Sequence, residues 1–247
     1  MIDPRTFLAI PIKFKDKCKI HPPRVKDMLD NEYFGFWRQL LCITQEEIED
    51  EAVQKNPDAD KFLTPMEYLL AACYQNKDIE KVMREGFKFF LKTPVTFLYD
   101  TKSILIGDIE EVLKVIKSLD ELIMIKEEEY FEFQNAMRAA FGENPVDPPN
   151  PNEDPRIKRM KAKARYRDKI KAKQGGGLSL QSSLEAICCM GIGINPLNIG
   201  EVSYAAIGAL IERYQMKEKY DIDIKSLLAG AKANKVNPVY WIKNIDK

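Results

Sequence analysis

Hydrophobic positions in residues 1–142 follow two spacings, which predict a mixture of strands and helices. Short apolar runs of the strand type occur in two pairs, at 7–14 with 17–20 and at 87–99 with 103–106. Turn residues separate the members of each pair, Asp16-Lys17 in the first and Asp100-Thr101-Lys102 in the second, so we expect one or two short β-hairpins. Helical spacing and capping residues predict helices over 25–42, after Thr44, after Thr64, after Asp108 and over 128–141.

The helix that follows Thr64 has a clear start signal. Thr64 can cap it, Pro65 suits its first turn, and Glu67 completes a capping box. The next apolar residues recur at helical spacing and predict one buried stripe, formed by Met66, Leu69, Leu70, Cys73 and Tyr74.

Residues 178–247 have the pattern of an all-helical unit. Ser179 can cap a first helix to about residue 190, and Asn198 with Glu201 can cap a long second helix to about residue 219. Asp223 predicts a short third helix that ends near Gly230, and a terminal turn follows from residue 237. Together with the mixed unit before them, these patterns predict an α+β fold that is predominantly α-helical.

The stretch between these two units has the composition of a linker. Residues 143–155 contain five of the fourteen prolines, and three glycines follow at 175–177. Proline removes backbone donors, and consecutive glycines form a hinge. We therefore predict an N-terminal unit over 1–142, a Pro-rich and basic linker over 143–177 and a C-terminal unit over 178–247.

Charge is balanced over the whole chain but uneven along it. The 38 basic and 38 acidic residues cancel, which excludes a globally basic nucleic-acid binder. Residues 1–142 have a net charge of −6 and residues 143–155 of −4, whereas residues 156–173, the basic segment, carry +9. This segment fits a solvated tether, a ligand for the acidic N-terminal surface or for an acidic partner, or a nucleic-acid contact. The residues that we assign to a charged tether are Arg156, Arg159, Lys163, Arg167 and Lys171.

The sequence lacks patterns of catalytic and metal-binding residues. The only histidine, His21, precedes two prolines, and the five cysteines form no Cys-x-x-Cys pair. There is no Gly-x-Ser-x-Gly elbow and no Gly-Lys-Ser/Thr phosphate loop. We therefore expect a protein that is not an enzyme, uses no cofactor or metal and keeps its thiols reduced in a cytoplasm. The N-terminus lacks the features of a secretory signal, and no uninterrupted apolar run reaches about 20 residues, so we expect no membrane contact.

The first turns of the predicted long C-terminal helix are apolar on all sides. Residues 202–211 contain no charged side chain, and small residues at 205, 206, 208 and 209 would let another helix approach closely. Such a helix must be covered on every side, either by its own neighbours or by a partner chain. The candidate partner-binding residues are Val202, Tyr204, Ile207, Leu210, Ile211, Tyr214, Tyr240 and Trp241.

Two stretches of the sequence resemble a group of bacteriophage tail-gene proteins. The C-terminal one contains Asn198-Ile-Gly-Glu-Val-Ser-Tyr204, Glu212-Arg-Tyr214, Tyr220-Asp221, Leu228-Ala-Gly-Ala231 and Val236-Asn-Pro-Val-Tyr-Trp241-Ile-Lys-Asn-Ile245. The N-terminal one contains Pro11-Ile-Lys-Phe14, Ile20-His-Pro-Pro-Arg-Val-Lys-Asp-Met-Leu29 and Leu41-Cys-Ile-Thr44. In these stretches and in its layout the chain is similar to tail assembly chaperones of phages of Gram-positive bacteria.

The resemblance implies a function in binding partners. Proteins of this family coat the long helical tape measure protein, recruit tail tube subunits through their second segment and leave as the tube grows. For this chain it implies the tape measure protein and the tail tube protein as partners, with self-association as a further expectation. It also implies the cytoplasm of the infected bacterial host as the location, and absence from the mature virion. Two alternatives stay open: a structural neck or baseplate component, and an accessory protein that binds nucleic acid through the basic segment. Nucleic acid is less favoured as a partner than protein.

Overall fold

The protein has an α+β fold in which helices predominate, as the sequence predicts. A computed structural model describes residues 4–56, 61–109, 112, 122–148, 150, 153–154, 156–161, 163–165, 179–231, 236 and 238–240. Within these residues, the strands form one sheet of two strands and one of three, both antiparallel.

The N-terminal unit is built from short elements. Its helices are α1 (Pro4–Phe7), α2 (Val25–Leu29), α3 (Phe34–Cys42), α4 (Gln45–Lys55), α5 (Pro65–Gln75), α6 (Lys77–Leu91) and α7 (Glu127–Ala140). The two-stranded sheet contains β1 (Ile12–Phe14) and β2 (Cys18–Ile20), and the other contains β3 (Val95–Leu98), β4 (Ser103–Ile106) and β5 (Met124–Lys126) in that order. The described residues after 178 form α8 (Leu180–Cys189), a 3-10 turn (Ile199–Glu201) and α9 (Tyr204–Leu228).

Both predicted hairpins are present, with shorter strands than expected. In the first, Ile12 faces Ile20 and Phe14 faces Cys18. The strand predicted from residue 7 is wrong at its start, because Pro4–Phe7 is a helical turn and proline suits the first position of a helix. The third strand of the larger sheet, β5, was not predicted, and it pairs with β4.

The strand predicted over 87–99 is wrong in its first part, which belongs to α6. The side chain of Asn76 caps that helix by accepting hydrogen bonds from two backbone N–H groups of its first turn. Phe87 and Phe90 recur at helical spacing on its buried face, although an aromatic run has the composition of a strand. The helix ends at Leu91 and is followed by Lys92, whose φ of +57° is left-handed, and β3 begins at Val95.

The single helix predicted over 25–42 is also wrong, since the structure has two helices there. The side-chain amide of Asn31, in the gap between α2 and α3, donates a hydrogen bond to the carbonyl oxygen of Asp27 at 2.5 Å. Short polar side chains of this kind compete with helical backbone hydrogen bonds and favour turns. The turn separates α3 from α2, which lies against the C-terminal residues.

The two threonine caps are confirmed. Thr44 and Thr64 each accept a hydrogen bond from the backbone N–H three residues later, and the glutamate there bonds back to the threonine N–H. The stripe after Thr64 is buried except for Tyr74, which is exposed. The prediction over 128–141 is confirmed within one residue at each end by α7.

The main hydrophobic core lies where α3, α5, α6 and α7 pack against the sheets. Aromatic rings occupy its centre: Phe87 stacks on Phe133, with ring centroids 6.1 Å apart. The indole N–H of Trp37 donates to the carbonyl oxygen of Val82 at 2.8 Å, so its one polar atom is satisfied inside the core. The C-terminal residues pack on the N-terminal unit that this core stabilises.

The long C-terminal helix is continuous, which corrects two predictions. Asn198 precedes the 3-10 turn instead of capping the long helix, and α9 begins only at Tyr204. The prediction of a separate third helix at Asp223 is wrong, because α9 runs through that residue. No glycine or proline occurs between Gly208 and Gly230 to interrupt the helix. The helix predicted after Asp108 and most of the terminal turn fall outside the described residues.

Candidate partner-binding groove

The C-terminal residues pack directly on the N-terminal unit. The backbone N–H of Val25 donates to the carbonyl oxygen of Val202, and that of Tyr204 donates to the carbonyl oxygen of Pro23, both at 2.9 Å. Beside these hydrogen bonds lies a small buried apolar cluster from both parts of the chain, formed by Val25, Ile187 and Ile207. Segments that are distant in sequence therefore share a core.

The first turn of α9 approaches the N-terminal unit very closely at Gly142. This glycine has a φ of +75°, and a Cβ atom there would lie 2.7 Å from the Cα of Ala205. The hydroxyl of Ser203 donates to the carbonyl oxygen of Thr6 at 2.5 Å. The ring of Tyr204 packs edge-on against Phe34, with centroids 5.4 Å apart. These contacts fix the position of α9.

An open groove of about 1040 Å³ lies beside these contacts. Its walls are α1, the residues that follow α7, the start of α8 and the first turns of α9. Phe7, Leu8 and Leu180 are large apolar side chains that line it and remain exposed. A concave surface lined by exposed apolar side chains has the form of a candidate binding site.

Charged side chains of both signs line the groove beside this apolar surface. The carboxylate of Glu143 forms ion pairs with Arg38 at 2.7 Å and with Arg138 at 2.9 Å. Glu212 and Arg213 line the groove from α9. A ligand in this groove would therefore meet apolar side chains together with charges of both signs.

The structure brings four of the predicted partner-binding residues into this groove, namely Tyr204, Ile207, Leu210 and Ile211. Val202 packs instead against the Val25 cluster. Tyr214 is half-buried on α9 and does not line the groove. Tyr240 also lies outside it and packs its ring against Tyr220 at 5.6 Å. Trp241 lies outside the described residues.

Sequence reasoning missed the groove residues that do not belong to α9. Phe7 and Leu8 were assigned to a strand, so their position beside the C-terminal helix was not anticipated. The nearby Pro4 was the available signal, because proline favours the first turn of a helix. Leu180 carried no signal, since its exposure depends on how α8 packs.

The described part of the basic segment is helical and contacts α4. Residues 156–161 and 163–165 are helical, and Lys158 and Arg165 form ion pairs with carboxylates of α4. Among the predicted tether residues, Arg156 and Lys163 are exposed and Arg159 is half-buried. Arg167 and Lys171 lie outside the described residues.

Burial favours the neutral forms of two cysteine thiols and of the single histidine. Burial raises the pKa of Cys73 to about 12 and that of Cys18 to about 11, so both thiols are poor nucleophiles. Burial, followed by the charges of Lys92 and Lys19, lowers the pKa of His21. The described residues contain no group of three or more His, Cys, Asp or Glu side chains that could hold a metal ion. None of the helices described is both long enough and apolar enough to cross a membrane.

Comparison with models of protein families gives a match in the C-terminal part of the chain. Residues 169–246, which include α8 and α9, match a family model described as the YomV second domain. No curated protein and no solved structure matches the chain. The match suggests a phage-associated protein family for the part of the chain that supplies much of the groove.

Proposed function

We propose that this protein is a non-enzymatic phage tail assembly chaperone that binds the tape measure protein and recruits tail tube subunits. The observation that carries the proposal is the open apolar groove between α1, α8 and α9. The match of residues 169–246 to a phage-associated family supports the phage context, and the sequence resemblance supports the more specific activity.

An amphipathic helix is the ligand that suits the groove best. Its walls present apolar side chains over several turns of α9, together with the charges of Glu143, Glu212 and Arg213. Proteins that bind a helix in a groove bury its apolar positions at spacings of three and four residues and leave its polar face outside. A long helical tape measure protein would offer such a face repeatedly along its length.

The second half of α9 is the candidate surface for the tail tube protein. It extends beyond the groove, and its apolar residues Ile222 and Leu228 are exposed. A protein that holds one partner in a groove and another on a separate surface raises their effective concentration for each other. This arrangement fits the delivery of tube subunits to a tape measure protein.

The test is co-expression of the full chain with the tape measure protein of the same phage, followed by co-purification. Leu8→Asp and Leu180→Asp place a charge in the groove and are expected to reduce recovery of the tape measure protein by at least about tenfold, since a charge opposes burial of an apolar face. Leu29→Asp is the matched control, because Leu29 is 63% exposed against 67% for Leu8 and lies outside the groove. Circular dichroism confirms that each variant folds.

Three results would contradict the proposal. The first is failure of the wild-type chain to recover the tape measure protein, and the second is equal recovery by the groove variants and the control. The third is the presence of the protein in purified virions at the level of a structural subunit, measured by mass spectrometry. That outcome would favour a neck or baseplate component, because a chaperone leaves before the particle is complete.

A further inference from the structure

Helix α4 and the basic segment carry opposite charges where they meet. α4 contains five acidic residues and one lysine. The guanidinium of Arg165 lies 2.9 Å from Asp50 Oδ1 and 3.3 Å from Glu46 Oε1. The ammonium of Lys158 lies 3.6 Å from Glu49 Oε1. The contact therefore joins two parts of the chain that are 115 positions apart at the Arg165–Asp50 pair.

Two of the carboxylates in this contact are enclosed. The side chain of Asp50 is 2% exposed and that of Glu49 is 7% exposed, whereas Arg165 is 24% exposed. A carboxylate with so little water around it depends on nearby cations and hydrogen-bond donors. Arg165 supplies both, because its Nε donates to Asp50 at 3.0 Å and its Nη2 lies 3.8 Å from Glu49. This part of the basic segment therefore binds to α4 within the same chain.

The spacing of the charges fits one helix lying along another. Lys158 and Arg165 are seven residues apart, which places them on one face of a helix over two turns. Their acceptors on α4 share a face as well, at spacings of three and four residues. The large apolar side chains of this part of the segment, Ile157 and Met160, are exposed, so the contact depends mainly on electrostatic attraction. Lys158, Arg165 and Glu46 reach solvent, with side chains that are 19%, 24% and 66% exposed, so high salt weakens the contact although it screens the enclosed Asp50 less.

We propose that the acidic face of α4, formed by Glu46, Glu49 and Asp50, is a docking surface for a basic helix and that the chain's own basic segment is its occupant. Salt releases the occupant. In the docked state the segment is held on the N-terminal unit, and in the released state it becomes the charged tether that its composition predicts. This proposal does not depend on the proposed function, since it concerns a contact within the chain away from the groove.

Hydrogen–deuterium exchange on the full chain tests the release. At low salt we expect the backbone amides of residues 156–165 to be protected. At about 1 M NaCl, where the screening length falls to roughly 3 Å, their protection is expected to fall by about tenfold while that of α6 stays unchanged. Protection that does not depend on salt, or that falls equally in α6, would overturn the proposal.

Charge reversal identifies the residues responsible. Arg165→Glu is expected to lower the protection of residues 156–165 by about tenfold at low salt, because it places a carboxylate against Glu46 and Asp50. Lys163→Glu is the matched control, with the same charge change in the same segment at an exposed residue, and we expect less than about a twofold change. Glu46→Lys, at a side chain that is 66% exposed, is expected to restore part of the protection in the Arg165→Glu chain. Equal effects of the two reversals would contradict the assignment.

A peptide supplied separately tests the surface itself. A fluorescent peptide with the sequence of residues 156–165 is added to the full-length Lys158→Glu/Arg165→Glu chain, whose own segment no longer competes for α4. We expect saturable binding that weakens with salt, and at least about tenfold weaker binding to the wild-type chain, in which the surface is occupied. Asp50→Asn in the opened chain should weaken binding. Absence of binding, or equal binding to the wild-type and opened chains, would refute the proposed surface.

Discussion

The two halves of α9 have opposite environments although they form one continuous helix. In the first half, Ala205, Ala206 and Ile207 are at most 5% exposed. In the second half, Ile222 is 60% exposed and Leu228 is 83% exposed. Packing against the N-terminal unit therefore holds the first half. Among the described residues, the second half has the ring contact between Tyr220 and Tyr240, with centroids 5.6 Å apart, and ion pairs one turn apart such as Lys217–Asp221 at 3.5 Å.

This contrast shows that a helix without a distinct apolar face can be covered unevenly. The first turns have apolar residues on all sides, yet only part of their surface is buried, against Gly142, Phe34 and α8. The remaining side faces the groove, where Leu210 and Ile211 are only partly covered. A partner helix placed there would complete the covering that the sequence pattern requires.

The largest expected effect comes from filling the space at Gly142. Gly142→Ala combines a left-handed φ with a Cβ atom 2.7 Å from Ala205, so we expect a loss of roughly 3–4 kcal/mol in the free energy of unfolding. Urea denaturation measures the loss, and hydrogen exchange should show the first half of α9 detached while its second half changes little.

Gly191→Ala is the matched control for that experiment. Gly191 also has a left-handed φ, of +68°, but a Cβ there would meet no atom within 4 Å. We expect the free energy of unfolding to fall only by the cost of the left-handed backbone, about 1–2 kcal/mol. Equal losses for the two variants would show that the close approach of α9 to Gly142 does not contribute to stability.

A pair of identical truncations separates the two halves of α9 directly. Ile207→Ala removes a buried side chain from the cluster with Val25 and should cost about 2–4 kcal/mol of unfolding free energy. Ile222→Ala removes an exposed one and should change it by less than about 0.5 kcal/mol. Chemical denaturation of both variants measures the difference. A cost for Ile222→Ala as large as that for Ile207→Ala would mean that the second half is packed as well.

Local signals account for the parts of the fold that the sequence predicted well. The capping boxes at Thr44 and Thr64 are confirmed because their hydrogen bonds involve residues within one turn. The aromatic run that ends α6 was misassigned, since composition favoured a strand and only the long-range core showed which face is buried. The groove could be predicted only from the α9 side, because its other wall depends on where α1 and α8 pack.

The smallest expected effect is that of acid, which should destabilise the start of α9. Hydrogen bonds from Lys26, together with Arg24, lower the pKa of Glu201, which lies just before that helix. A carboxylate with a lowered pKa stabilises the folded state above its ordinary pKa near 4.5, and this stabilisation is lost as the pH falls through the folded value. We expect the exchange protection of residues 199–206, corrected for the intrinsic pH dependence of amide exchange, to fall below about pH 4.5.

Glu201→Gln is the control for the acid experiment. It removes the titrating group, so the corrected protection of residues 199–206 should no longer fall in that pH range. The same dependence in both chains would assign it to another carboxylate.

The hydrogen bond from Ser203 to Thr6 has a consequence for the order in which the molecule folds. It joins residues 197 positions apart, so the loop that it closes contains most of the chain. Contacts of this kind form late, because the entropy of closing a long loop must be overcome before they contribute. During synthesis the N-terminal core can fold on the ribosome, whereas the groove forms only after residues beyond 203 have emerged. A nascent chain that has not reached this point has no assembled groove.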